Sequence, residues 1–347
     1  MSETATAERK PLKLVACGGC GTRAFIPGDL PPLETTPCTK CGHPIMMPMQ
    51  LRQFELRAPI ASGGMGTVYR AYDTMLLREV AVKLMRRELR EDPEALESFQ
   101  REARACATLN HTNIIHIYTF DDYDGRLYLV MELADAGSLD SRIEQLGRVP
   151  ELDVLDTGIK VASALASALK KGLLHRDIKP GNILYNAEGE PKLVDFGLAR
   201  SAEKSDVDES SLWATPYYVA PEKVQRLSET FLSDLYSLAA TLYHALTGHV
   251  PFEAPTIEEV VAAQVHTPLT PPSLVARDIT QPTSDALERA MAKDPGQRFP
   301  SYDEFIMTLE AARSQLLVAR LRSGGSLAAT PAAPEPKTAG VRGWFRR

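Results

Sequence analysis

Hydrophobic and polar positions divide the chain into four zones. Residues 1–12 are polar without an apolar period and read as disordered. Residues 13–48 hold few large apolar side chains and the prolines Pro27, Pro31, Pro32, Pro37, Pro44 and Pro48, too little to build a core. From Phe54 to about residue 320, strand-like and helical patterns alternate and carry nearly all the large apolar residues. From Ser323 to Arg347 the chain turns to Gly, Ala, Pro and Thr, which bury too little surface to offset ordering entropy, so a disordered tail is expected. Within the large zone, Phe54 to Leu133 offers runs such as Val80-Ala81-Val82 and Leu127-Tyr128-Leu129-Val130, with one helix near Pro93 to Leu109. That helix keeps Leu96, Phe99, Ala103 and Cys106 on one face. After Gly137 long amphipathic stretches at 152–170, 232–247 and 301–321 dominate. An α+β chain is predicted, with a small sheet-rich lobe followed by a larger helical one.

Composition narrows the classes. The 347 residues are 44% hydrophobic and 24% charged, ordinary globular usage that excludes a fibrous or wholly disordered chain. A net charge of −6 disfavours a globally basic nucleic-acid binder, and no nucleic acid is expected as a partner. No run of 18 apolar residues occurs, and Met1 to Lys10 lacks the apolar core of a secretory signal, so a soluble cytoplasmic protein is expected. The ending Val341-Arg-Gly-Trp344-Phe345-Arg346-Arg347 reads as a solvated terminus, since two aromatics and three arginines give only marginal membrane attraction.

Four of the five cysteines form two C-x-x-C pairs, Cys17/Cys20 and Cys38/Cys41, with 17 residues between them. Without an export signal, that spacing indicates one tetrahedral zinc ion held by four thiolates rather than disulfides. Two redox-active pairs are the competing reading. Gly21 and Gly42 follow each pair and permit a tight turn beneath a metal. A segment this short rarely folds on apolar burial alone, and zinc binding, worth about 10–16 kcal/mol in small peptides, supplies the difference. The segment resembles a zinc ribbon. His43 lies close enough to replace a ligand, but four thiolates already fill the shell. Cys106 reads as a small buried hydrophobe.

The stretch Ile60-Ala61-Ser62-Gly63-Gly64-Met65-Gly66-Thr67-Val68 sits between strand-like runs. It is not a Walker-type loop, and alone it would mark only a hairpin. Glycines there also let backbone amides approach phosphate oxygens. Val80-Ala81-Val82-Lys83 follows, and a lysine ending an apolar strand calls for an anion. Glu102 on the next helix offers one, although either residue in isolation is better read as a solvated charge. Farther on lie His175-Arg176-Asp177-Ile178-Lys179-Pro180-Gly181-Asn182-Ile183-Leu184, Asp195-Phe196-Gly197 and Ala220-Pro221-Glu222. Acids, amide and lysine gathered in short loops between apolar strands suit metal-assisted phosphoryl transfer.

On these motifs the chain from about 54 to 320 resembles the eukaryotic-type Ser/Thr protein kinases of bacteria. The resemblance implies a bilobal protein-kinase fold preceded by the zinc ribbon at 13–48. It implies ATP with Mg²⁺ (or Mn²⁺) as cofactors, protein substrates, and a homodimer for autophosphorylation. Asp177 matches the base that orients the substrate hydroxyl, and Lys179 the residue that contacts the γ-phosphate. Lys83, held by Glu102, matches the lysine on the α- and β-phosphates, and Asn182 and Asp195 match the Mg²⁺ ligands. The loop residues Ile60, Ala61, Gly63 and Gly66 would cover the nucleotide. Val68 and Ala81 would roof the adenine, Leu184 would floor it, Met131 would be the gatekeeper, and Glu132 to Ala134 the hinge. His175 braces the loop, Glu222 pairs with Arg298, and Asp234 anchors the catalytic-loop backbone.

Two departures stand out. Ala61 replaces the first loop glycine, which predicts weaker nucleotide affinity without its loss, and Ala214 stands before Thr215 where the family usually has glycine. The segment Asp195 to Glu222 is acidic, and Glu209 or Asp208 is a candidate to stand in for an activating phosphate at Arg176; a solvated acidic loop is the equal alternative. Ser205, Ser210 and Ser211 are candidate autophosphorylation sites. Two functional classes remain, a protein kinase and a kinase-fold scaffold. The presence of Lys83, Asp177 and Asp195 favours the enzyme.

Overall fold

The computed structural model describes residues 12–63, 66–87, 91–93, 96–97, 100, 103–104, 107–196, 200–201 and 216–322. Both predicted disordered segments lie outside these, except that Leu12 opens the first strand. Two small antiparallel hairpins come first. One pairs β1 (Leu12–Ala16) with β2 (Arg23–Pro27), the other β3 (Thr35–Pro37) with β4 (Pro44–Met46). After Met46 the chain runs directly into a larger sheet. Strand β5 (Met49–Leu51) pairs with β6 (Phe54–Ser62), and the order continues through β7 (Gly66–Asp73), β8 (Arg78–Met85), β10 (Arg126–Met131) and β9 (Ile117–Tyr123), every neighbour antiparallel.

Alternation with a period of two gives this sheet two apolar faces. Val80, Val82 and Leu84 of β8 join Tyr128 and Val130 of β10 in one cluster. Ala81 and Met131, their neighbours in sequence, join another with Val68 and Leu184. Between β8 and β9 the described residues from Asp92 to Ala107 include helical ones where a helix is expected, and Ala103 packs on Met85 and Leu129.

The second lobe is built on two long helices, α2 (Glu151–Leu169) and α3 (Phe231–Thr247), with α1 (Leu139–Leu146), α4 (Ile257–His266), α5 (Gln281–Ala290) and α6 (Tyr302–Arg322) around them. The helices α2, α3 and α6 meet at Gly158. A Cβ there would lie 2.7 Å from Leu242 Cδ1 and 3.2 Å from Leu309 Cδ1, so glycine lets the helices approach without displacing these leucines. Helix α3 starts at a Thr230/Ser233 capping box and stops at Gly248, whose φ of 75° suits glycine. Two short antiparallel pairs follow, β11 (Leu173–Leu174) with β14 (Arg200–Ser201) and the hairpin β12 (Ile183–Tyr185) with β13 (Pro191–Leu193). Leu193 bonds into the segment before β9, accepting from the Ile115 N–H at 3.0 Å and donating to the Asn113 carbonyl at 2.8 Å. No helix among the described residues is long and apolar enough to cross a membrane.

A buried ion pair ties the helical lobe together. Arg298 donates to both Glu222 oxygens, at 2.7 and 2.8 Å, and the Ser233 hydroxyl donates to Glu222 Oε1 at 2.7 Å. Remaining guanidinium N–H groups reach the carbonyls of Ala292 and Leu232. Burial pushes the Glu222 carboxyl up, but the Arg298 guanidinium outweighs it and holds the group below its ordinary value. Glu222→Gln should therefore cost about 3–5 kcal/mol of stability at neutral pH, because it strands a buried guanidinium. The pair's contribution is complete above the ordinary carboxylate range and disappears as pH falls through the depressed value. Chemical denaturation at pH 7 and in acid measures both effects; a variant within about 0.5 kcal/mol of wild type at pH 7 would contradict the assignment.

Candidate active site and metal cluster

The catalytic loop is shaped from beneath. Asp234, on the first turn of α3, accepts the backbone N–H of His175 at 2.7 Å and of Arg176 at 2.8 Å. Burial pushes the Asp234 pKa up, while His175 and the two amides favour its charged form. Arg176 has a φ of 68°, the sharp turn that lets one carboxylate take two consecutive amides. His175 is fully buried. Its Nε2 lies 3.0 Å from the Val194 carbonyl, its Nδ1 accepts the Asp177 N–H at 3.3 Å, and its ring packs edge-on against Phe196. It braces the loop, as the sequence suggests.

Above this base three predicted residues converge. Lys179 Nζ lies 2.8 Å from Asp177 Oδ2, and Asn182 Nδ2 donates to the Asp177 carbonyl at 2.8 Å and to Oδ2 at 3.0 Å. Asn182 is fully buried, and its Oδ1 has no hydrogen-bond partner among the described residues. A buried amide oxygen left open costs stability unless something electropositive meets it. A hard divalent cation accepts that oxygen, so Asn182 fits the magnesium role. The Asn182 carbonyl also takes the Val194 N–H at 3.0 Å, which places Asp195 one residue beyond. Asp195 has a φ of 66°, a second left-handed non-glycine residue beside the site.

The cleft wall is apolar. Ala61, Val68, Ala81, Met131, Ala134 and Leu184 form one buried cluster with Val194 and Ile115, and Ile60 packs against it. Ala61 stands opposite Val68 in the β6–β7 register, and Lys83 is buried on β8 opposite the same Val68. The turn between them closes with the Gly63 N–H on the Gly66 carbonyl at 2.9 Å. A Cβ on Gly66 would sit 2.3 Å from the Leu84 carbonyl, so no other residue fits there. Gly64, Met65, Glu102 and Cys106 lie outside the described residues, as do Ser205, Asp208, Glu209, Ser210, Ser211, Ala214 and Thr215.

Three residues not singled out from sequence complete the picture. Lys192, buried in β13 directly across from Leu184, places its ammonium 2.5 Å from the Glu132 carboxylate. Glu132 Oε2 also accepts the His116 N–H at 3.3 Å, and the Glu132 N–H donates to the His116 carbonyl at 2.8 Å. Glu132 is thus bound to the strand that leads to Asp195. The second and third are Lys223 and Glu229. Lys223 donates to the Arg176 carbonyl at 3.2 Å, and the Glu229 carboxylate sits 3.7 Å from Arg176 and 3.8 Å from Lys223. Burial raises the Glu229 pKa against the pull of Lys223 and Arg176, with Asp234 and Glu222 adding to the rise. The reasoning that singles out Lys83, a lysine in an apolar strand, applies equally to Lys192.

At the other end of the small lobe the four cysteine sulfurs lie within 4.8 Å of one another. Cys17 and Cys41 are 3.7 Å apart and Cys20 and Cys38 are 3.9 Å apart. A tetrahedron with Zn–S bonds of about 2.3 Å has edges of about 3.8 Å, so the set fits zinc. The two knuckles repeat one another. Cys17 and Cys38 each accept, on their carbonyl, the N–H four residues on, from Gly21 and Gly42, and each donates across its own turn, to Thr22 and His43. Gly21 and Gly42 have φ of 68° and 74°. The His43 ring packs on Gly19, where a Cβ would come within 2.6 Å of it, so it fills space between knuckles. The Thr22 hydroxyl and N–H hold the Cys20 thiol down at about 6, while at Cys41 the His43 backbone bond is outweighed by burial and the neighbouring thiols, which push it up, as expected when close thiols compete to ionise.

Comparison with known proteins agrees with this geometry. The family model for the protein kinase domain matches residues 54–308. A probable serine/threonine-protein kinase of Clostridium perfringens, CPE1738, is 35% identical over 259 residues, covering 74% of this chain and 38% of that protein. The serine/threonine-protein kinase PknA of Mycobacterium tuberculosis is 35% identical over 268 residues, covering 76% and 62%. PknK of the same species is 39% identical over 242 residues, covering 69% and 22%. The matched region therefore spans less than two thirds of each relative. Over nearly three quarters of its length, on motifs, fold and family match together, the chain belongs to the protein kinases.

Proposed function

We propose that the chain is an ATP-dependent protein serine/threonine kinase that transfers the γ-phosphate to Ser and Thr hydroxyls of proteins, itself included. The observation that carries this reading is the joining of Asp177, Lys179 and Asn182 in one hydrogen-bonded group, with the open Asn182 Oδ1 beside Asp195. Asp177 accepts and orients the substrate hydroxyl, and Lys179, now on the Asp177 carboxylate, turns to the γ-phosphate when substrate arrives. Lys83 holds the α- and β-phosphates and Glu102 holds Lys83. Asn182 and Asp195 hold Mg²⁺, for which Mn²⁺ can substitute; the ion supplies charge neutralisation along the triphosphate. Ile60, Ala61, Gly63, Gly66, Val68, Ala81, Met131, Ala134 and Leu184 enclose the nucleotide, and the hinge at Glu132 to Ala134 presents backbone to the adenine edge. Cys17, Cys20, Cys38 and Cys41 hold a structural zinc. Protein substrates, a cytoplasmic setting and a transient homodimer for autophosphorylation belong to the same reading. A non-catalytic scaffold gains no support, since Lys83, Asp177 and Asp195 are all present.

Three outcomes test it. With Mg²⁺ and labelled ATP, wild type should form phosphoserine or phosphothreonine, and Asp177→Asn should lower kcat by about 10²–10⁴-fold with KM for ATP little changed. Equal labelling in both would contradict the assignment of the base. Lys192→Met should raise KM for ATP several-fold at near-normal kcat, with Lys192→Arg restoring most of the affinity; an unchanged KM would remove the hinge role of the Glu132 pair. Elemental analysis should find one zinc per chain, lost in Cys20→Ser. A metal-free wild type carrying two disulfides would favour the redox reading instead.

A further inference from the structure

The sheet that lines the nucleotide cleft on one face carries the zinc module on the other. Its outer cluster contains Val80, Val82, Leu84, Tyr128 and Val130, together with Leu51, Phe54 and Leu56. Met46, from β4 of the second knuckle hairpin, is buried in this same cluster, and Leu33 packs against it. Met47, the next residue, points the opposite way. It is buried with Cys17, Cys38, Ile26 and Ile45, the core beneath the sulfur cluster. One backbone step therefore joins the metal site to the sheet. Main-chain bonds hold that step in place, the Met47 N–H to the Glu34 carbonyl at 2.8 Å and the Leu33 N–H to the Met47 carbonyl at 2.9 Å. Two residues later β5 adds its edge to β6, in the register Met49 to Leu56 and Leu51 to Phe54.

The module's own core is only Ile26, Ile45, Met47 and the sulfurs, with a few half-buried neighbours. A core of that size does not hold a hairpin pair without its metal. The sheet in turn depends on the module. Removing Met46 and Leu33 uncovers the apolar outer face of β6, β7 and β8, the strands that carry Ala61, Gly66, Val68, Ala81 and Lys83. We infer that the ribbon is a metal-dependent part of the small lobe, and that zinc occupancy of Cys17, Cys20, Cys38 and Cys41 controls how tightly the cleft binds nucleotide. The kinase thereby gains a second function, a response to zinc availability. The route is packing. When the ribbon opens, the fraction of molecules with a binding-competent sheet falls, and apparent affinity falls with it.

This inference rests on the nucleotide- and zinc-binding readings above, and one experiment separates all three. The full chain is purified with zinc, stripped by a chelator under reducing conditions and reloaded with Zn²⁺. Zinc content, the Kd for MgADP and amide hydrogen exchange are measured at each stage, with α2 and α3 as internal references. Stripping should raise the Kd for MgADP by about tenfold or more and speed exchange across β6–β8, leave α2 and α3 unchanged, and reverse on reloading. Met46→Ser keeps all four cysteines and so should retain zinc, yet bind MgADP weakly whether loaded or stripped. The inference is overturned if the stripped chain keeps the zinc-loaded Kd and exchange pattern, or if Met46→Ser still shows the full zinc-dependent change. Absence of zinc from the purified chain would overturn it through the metal reading, and failure of the zinc-loaded chain to bind MgADP would do so through the nucleotide reading.

Discussion

A carboxylate removed from water organises the helical lobe's contribution to the site. Burying Asp234 without partners would cost several kcal/mol, and the partners it has are two consecutive backbone amides of one tight turn. Accepting both requires the chain to reverse at Arg176, which holds a left-handed φ of 68°. Such a conformation costs on the order of 1–3 kcal/mol in a non-glycine residue and persists only where its surroundings impose it. From this fixed turn the rest is placed in short steps. His175 reaches the Val194 carbonyl, Asn182 spans from Asp177 to the Val194 amide, and Asp195 follows. Acid and amide groups from distant parts of the chain are thus fixed relative to one helix terminus.

The small lobe meets this base through a sheet that carries an apolar cluster on each face. Its inner side is the cleft wall with Leu184 and Val194 from the other lobe, and Met46 and Leu33 pack on its outer side. The two lobes are joined by more than chain continuity. Lys192 lies across from Leu184 and pairs with Glu132, so Glu132 is tied to the strand leading to Asp195. On the proposed reading, a cleft built this way would position nucleotide by packing and by a few buried charges, the means by which phosphoryl transfer gains rate with little covalent chemistry from the protein.

Much of the site was legible because its chemistry is local. His175 to Asn182 lies within one connection between β11 and β12, where residue type and spacing carry the signal. The cysteine pairs are legible for the same reason, since each knuckle closes over four residues. The long helices α2, α3 and α6 were legible through their apolar period. Less legible was whatever depends on pairing across the fold. β5 has three residues, too few for a pattern, and its place in the sheet comes from β6. The opposed burial of Met46 and Met47 follows from what lies on each side of β4, which no local signal reports. Glu229 resembles a surface charge until α3 and the segment after Glu222 enclose it with Arg176 and Lys223. Lys192 is the exception, a buried-strand lysine whose sequence signal matches that of Lys83.

The most direct test of the convergence itself is a crystal structure of the full chain with Mg²⁺ and a non-hydrolysable ATP analogue. The account predicts the metal on Asn182 Oδ1 and the Asp195 carboxylate, Lys83 on the α- and β-phosphates, and the base between Leu184 and the Val68–Ala81 roof. A nucleotide bound elsewhere, or phosphates in the cleft with Asn182 and Asp195 turned away from the metal, would contradict it.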